Sequence, residues 1–157
     1  MTEWREAIAS CGDEPLAAAL IASIEDLFAN DMHSLTVDAS ERHVAALLAE
    51  HLGRRAPVAP DGRPWQVHVE YNRNGVAVKT IEGIQVVVPD IIMHRAGTTK
   101  NYLAVELKKG DSDVPDEGDV RKLRAYKRPD ELGYTHTLFL RLGIGERAGT
   151  VTCVAWC

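Results

Sequence analysis

Apolar residues recur every three or four positions from Leu16 to Phe28: Leu16, Leu20, Ile24 and Leu27, with Ile21 and Phe28 widening the stripe. That spacing predicts a helix over 13–29 with one buried face. Asp13 and Glu14 suit the positive end of its dipole, Pro15 suits the first turn, and Asn30-Asp31 ends it. A second helix opens at Asp38 or Ser40, buries Val44, Leu47, Leu48 and Leu52, and is expected to stop at Gly53. Glu41 falls on the same stripe. It either complements the dipole or brings a carboxylate to the inner face.

After a loop over 54–64 punctuated by Pro57, Pro60 and Pro64, the period changes to two. Trp65, Val67, Val69 and Tyr71 alternate with Gln66, His68 and Glu70, which predicts a half-buried strand with His68 and Glu70 facing solvent. Asn72-Arg73-Asn74-Gly75 predicts a turn, and 76–79 a short strand. Two apolar strands joined by Ala96-Gly97-Thr98-Thr99 follow, VVVPDII and YLAVELKK. An acidic loop over 111–119 leads to a helix over 117–128 with Val120, Leu123 and Tyr126 inward, ended by Pro129. Strands over 134–142 and 150–156 close the chain. This order predicts an α/β domain of three layers, a central mixed sheet flanked by helices. It spans 1–157 as one unit, with a core over 38–156 and the 13–29 helix as an N-terminal addition.

The central pair of strands carries the chemistry. In the second, Leu103, Val105 and Leu107 point one way, and Tyr102, Ala104, Glu106 and Lys108 the other. Glu106 and Lys108 thus share a face, about 6.6 Å apart along the strand. In the first, Asp90 sits in a run that reads as buried on both faces, where an unpaired carboxylate is costly. Pro89 has no N–H for a ladder, so a bend is expected there, aiming Asp90 at the neighbouring strand. Two converging carboxylates beside an ammonium form a hard-oxygen site that suits Mg²⁺, with Mn²⁺ as a substitute. Lys108 could orient or activate a water, or stabilise charge building on phosphorus. These parts match phosphodiester hydrolysis. Taken one at a time, Glu106 and Lys108 also read as a surface ion pair and Asp90 as a turn residue.

Pro89-Asp90 followed by Glu106-Leu107-Lys108 resembles the PD-(D/E)XK signature of the restriction-endonuclease-like nuclease superfamily. That core is a helix, a three-strand meander carrying the motif, a helix and a further strand, and the resemblance covers roughly Asp38 to Trp156. It implies a divalent-metal-dependent nuclease acting on DNA in repair, recombination or defence. Asp90 and Glu106 would be metal ligands, the Leu107 carbonyl a further ligand, and Lys108, Asp90 and Glu106 the catalytic set. Some branches add a Glu from the helix before the sheet, and Glu41 is placed as that residue would be. Another branch has Gln-x-x-x-Tyr on the following helix. Here Lys122 and Tyr126 stand at that spacing, with Lys in place of Gln.

Charge bears on the substrate. Residues 1–50 hold ten acids against Arg5 and Arg42, a net of −8, while the remainder nets +3. Nine of the 18 Lys and Arg lie between Arg95 and Arg128, around the motif. Lys109, Arg121, Lys122 and Arg124, with Tyr126, are the expected nucleic-acid contacts, although a basic helix face can equally be a solvated one. No sequence-reading module is evident, so the domain alone is expected to be structure- or end-directed or guided by a partner. The resemblance implies duplex or branched DNA as substrate, with a homodimer or a larger repair or defence complex as the assembly. Two alternatives stay open. One is a catalytically inactive nuclease-fold module that binds a protein or DNA partner, and the other a hydrolase of small phosphates. No apolar run reaches membrane-spanning length, and the N-terminus lacks the pattern of a secretory signal. Cys11, Cys153 and Cys157 show no metal-type spacing and read as reduced thiols of a cytoplasmic protein.

Overall fold

The computed structural model describes residues 2–75, 77–81, 85, 86 and 88–157, with Val78, Gln85 and Val86 as backbone only. Val76 and Val87, which the sequence places in strands, lie outside the described residues. The chain opens with α1 (Glu3–Ala9), a short helix with no stripe to announce it, whose buried residue is Ile8. Next is α2 (Glu14–Asn30), capped by Asp13 Oδ1, which accepts from the Leu16 N–H at 3.1 Å. A single-turn helix, α3 (Met32–Thr36), was not legible beforehand. Then α4 (Glu41–Arg55) starts at Ser40, whose Oγ accepts from the His43 N–H at 3.1 Å. It runs through Gly53 rather than stopping there, and ends at Ala56, which Pro57 forces into an extended conformation.

The sheet has five strands: β1 (Gln66–Val69), β6 (Ile91–His94), β7 (Asn101–Lys109), β8 (His136–Leu142) and β9 (Val151–Trp156), in that spatial order. All neighbours are antiparallel except β7 and β8, which run parallel, so the sheet is mixed. Between β1 and β6 lie two small hairpins. β2 (Arg73–Asn74) pairs with β3 (Ala77–Val78), and β4 (Thr80–Ile81) with β5 (Gln85–Val86). The crossover from β7 to β8 carries α5 (Glu117–Lys127), which ends as expected before Pro129.

Alternation along the strands sorts the core into two layers. Ile91, Met93, Leu103, Val105, Leu107, Leu138 and Leu140 pack beneath α2 and α4 with Leu16, Leu20, Ile24, Val44 and Leu48, all nearly inaccessible. On the other face Ile92, Ala104 and Phe139 meet Leu123, Ala125 and Tyr126 of α5. Helices therefore cover both faces of the sheet. Four details differ from the sequence reading. Val88 is 44% exposed, so the run before Asp90 is not buried throughout. Tyr102 leaves its alternation and stacks on Trp65 at 4.9 Å, beside the first layer. Val120 is only partly buried, and Asp119 takes the inward place on α5. His68 does not face solvent: its Nδ1 lies 2.7 Å from His94 Nε2, because the chain after β1 folds Tyr71 back over both rings.

Candidate functional site

Pro89 and Asp90 precede the first paired residue of β6, so the chain bends where a ladder cannot form. The bend lets Asp90 Oδ2 cap the edge of β7, accepting from the Leu107 N–H at 2.8 Å. In an extended strand a residue's N–H and C=O leave toward the same edge, so the Leu107 carbonyl faces that edge too. Glu106, one residue earlier on β7, turns to the α5 face and is 4% exposed. Its carboxyl interacts electrostatically with that of Asp90, each buried near the other. Tyr126, 1% exposed, donates its hydroxyl to Glu106 Oε1 at 3.1 Å.

The cations come from two elements. Lys108 lies beyond Glu106 on the same face of β7, its ammonium 3.6 Å from Asp119 Oδ2 and 4.0 Å from Glu41 Oε1. Lys122, from the second turn of α5, places its ammonium 3.1 Å from Asp119 Oδ1 and 3.7 Å from Glu106 Oε2. Glu41 Oε2 accepts from the Lys109 N–H at 3.0 Å. Acids and lysines thus alternate from Glu41 through Lys108, Asp119 and Lys122 to Glu106, and Asp90 adjoins Glu106 at the end.

Burial sets the protonation states. Desolvation and the Asp90 charge push Glu106 up to about 8. Desolvation also raises Asp90, against the lowering effect of the Leu107 N–H and of Glu106. Glu106 therefore keeps its proton at neutral pH. Burial pulls Lys108 down, but Asp119, Glu41 and Asp90 outweigh it and leave its pKa raised. Lys122 behaves alike, with Glu106 and Asp119 prevailing over burial. Both lysines are charged, so neither is a base.

Of the residues expected from sequence, Asp90, Glu106, Lys108, Lys122 and Tyr126 meet at one place, with Glu41 joined to them through Lys108. Tyr126 is enclosed and spent on Glu106, so it supports a carboxylate rather than presenting a ring to a nucleic acid. Lys109 alternates to the other side, where its ammonium is held by Asp38 Oδ1 and the Ala39 carbonyl. Arg121 and Arg124 are exposed on α5 and line, with Lys122, Val114 and Pro115, a groove of about 1100 Å³. Asp119 was missed: an acid in the first turn of a helix reads as a dipole complement, and only its i, i+3 relation to Lys122 hints at more.

Among the described residues no three acidic, histidine or cysteine side chains surround one point closely enough to hold a metal ion. Glu41 in particular reaches Lys108 rather than the Asp90–Glu106 pair. The pair itself fits a hard divalent cation, which needs only one or two carboxylates from a protein. Two neighbouring buried carboxyls, one of them protonated at neutral pH, are the donor set that such an ion would occupy by displacing that proton. The three cysteines are free. Among the described residues no helix is long and apolar enough to cross a membrane. Comparison with protein-family models, with curated proteins and with solved structures gave no match.

Proposed function

We propose that the protein is a divalent-metal-dependent nuclease that hydrolyses DNA phosphodiester bonds, with a restriction-endonuclease-like core. The observation that carries this reading is the Asp90–Glu106 carboxyl pair at a bent strand end with the charged Lys108 on the same face. The order α4, the β1–β6–β7 meander, α5 and a parallel β8 supports it, because it matches the core that the Pro-Asp and Glu-x-Lys resemblance implies.

Asp90 and Glu106, with the Leu107 carbonyl, would hold Mg²⁺ or Mn²⁺. A bound ion would supply Lewis acidity and a water of lowered pKa. The chain's own groups do the rest. Tyr126 and the Leu107 N–H fix the two carboxyls against rotation. Lys108, 33% exposed and charged, meets a phosphate oxygen and stabilises the charge that builds on it. Arg124 and its neighbours on α5 extend the cationic track for the backbone.

Incubation with linear, circular and branched DNA plus Mg²⁺ or Mn²⁺ tests the reading. Cleavage should fall about 10²–10³-fold in Lys108→Ala, the cost of losing one preorganised electrostatic contact. It should be abolished in Asp90→Ala. Equal cleavage by wild type and both variants would sink the proposal. A second reading, a non-catalytic module of the same fold, is favoured by one observation: Lys122 already answers the Glu106 carboxylate from within. Calorimetry separates the two, since the nuclease should take up Mn²⁺ with heat that vanishes in Asp90→Asn and Glu106→Gln.

A further inference from the structure

Asp119 lies at the centre of the charge chain, 6% exposed, in the first turn of α5. Dipole complementarity does not account for its burial, because Glu117 in the same turn does that work while exposed. Among the described residues its Oδ2 has no hydrogen-bond partner and faces the Lys108 ammonium at 3.6 Å, while its Oδ1 is taken by Lys122 at 3.1 Å. Among the described residues the other carboxylate in ion-pair range of Lys108, Glu41 Oε1, is farther at 4.0 Å and on a more exposed side chain. Of the two, Asp119 is the closer and drier, and so the stronger electrostatic hold.

The position of Asp119 is itself built in. Arg141 of β8 is the register partner of Lys108 of β7, so the two cations stand side by side. Arg141 Nη1 donates to the Ser112 and Val114 carbonyls at 2.9 and 2.6 Å, and its Nη2 to Asp116 Oδ1 at 2.6 Å. That pins the loop that feeds α5 to the same strand pair that carries Lys108. Asp116 neutralises Arg141, and Asp119, three residues on, returns over Lys108. A lysine has four rotatable side-chain bonds, and an unanchored one spends little time in a single geometry.

We propose that Asp119 is a positioning residue, which holds the Lys108 ammonium in place beside the Asp90–Glu106 pair. Its catalytic meaning rests on the nuclease reading; the positioning itself does not. Reductive ¹³C-methylation of the lysines gives a readout independent of cleavage, with the Lys108 resonance assigned by Lys108→Arg. In the wild type that resonance should stand apart from the position of a free, solvated lysine. In Asp119→Asn it should collapse onto that position, whereas in Lys122→Ala, which leaves the Asp119–Lys108 contact, it should stay apart. Cleavage by Asp119→Asn should lose about 10–100-fold in kcat, as expected when a catalytic group is misplaced. KM for DNA should change less than about threefold, since no phosphate contact is lost, and Asp119→Asn should add nothing further in a Lys108→Ala background. Should Asp119→Asn fold poorly, Asp119→Glu replaces it, with a displaced rather than collapsed Lys108 resonance. An unchanged Lys108 resonance overturns the proposal whatever the activity. If the wild type cleaves no DNA but the resonance collapses as stated, the nuclease reading fails and the positioning role stands.

Discussion

Burial on one side and the Asp90 carboxyl on the other keep Glu106 protonated to about pH 8, against 4.5 for an ordinary glutamate. The folded state therefore binds a proton that the unfolded chain releases through this whole interval. Stability is highest below about pH 4.5 as far as this group is concerned, and falls as pH rises to about 8. Urea midpoints of the metal-free protein should trace that decline, and Glu106→Gln should flatten it. On the nuclease reading, Mg²⁺ should recover midpoint at pH 8 in the wild type and not in Glu106→Gln, because uptake of the ion releases the proton. His94 pulls the other way. Burial and the neighbouring His68, Lys79 and Arg95 charges lower it to about 4, so its neutral form favours the fold above about pH 6.5 and that contribution is lost as pH falls toward 4. A His94→Phe variant should lose this acid limb while keeping the limb set by Glu106.

Helices α4 and α5 approach the site from opposite layers, and their local chemistry can be tested apart from it. Gly53 lies inside α4 with nothing within 4 Å of where a Cβ would stand. Gly53→Ala should stabilise the protein by about 0.5–1 kcal/mol in chemical denaturation. Ser40→Ala removes the cap and should cost about 1 kcal/mol. The contrast explains what was legible. The α2 and α4 stripes repeat within the element itself, and every leucine named for α2 is buried. The bend at Pro89-Asp90 was legible because proline lacks an N–H whatever the surroundings. By contrast α1 buries Ile8 alone, too little to set a period. His68 and Asp119 look like surface residues along the chain. Their burial depends on His94, 26 residues away, and on the sheet face that α5 covers. Gly53 was misread because a lone glycine marks a helix end only when the following backbone turns, and here Pro57 sets the boundary.

Across the whole molecule the charge is divided. The net −8 of residues 1–50 is spread over α1, α2, the first part of α4 and the joins that hold Asp13, Asp31 and Asp38, whereas α5 carries exposed arginines beside its groove. DNA binding, if it uses that groove, should weaken with salt, and Arg124→Ala should reduce the slope of log K against log salt by about 0.9 for a lost phosphate contact. A slope that does not move would take Arg124 out of the interface. The parallel pairing of β7 with β8 has one more effect. A hairpin such as β6–β7 closes locally, but parallel partners wait until the chain has crossed over through α5. The acidic half of the site therefore forms early in folding and its lysine-bearing cover arrives late. A chain still short of β8, on the ribosome or partly unfolded, has paired carboxyls but no assembled neighbour for Lys108. Completing the fold and assembling the charge chain are then a single event, and on the nuclease reading a half-made molecule is inactive.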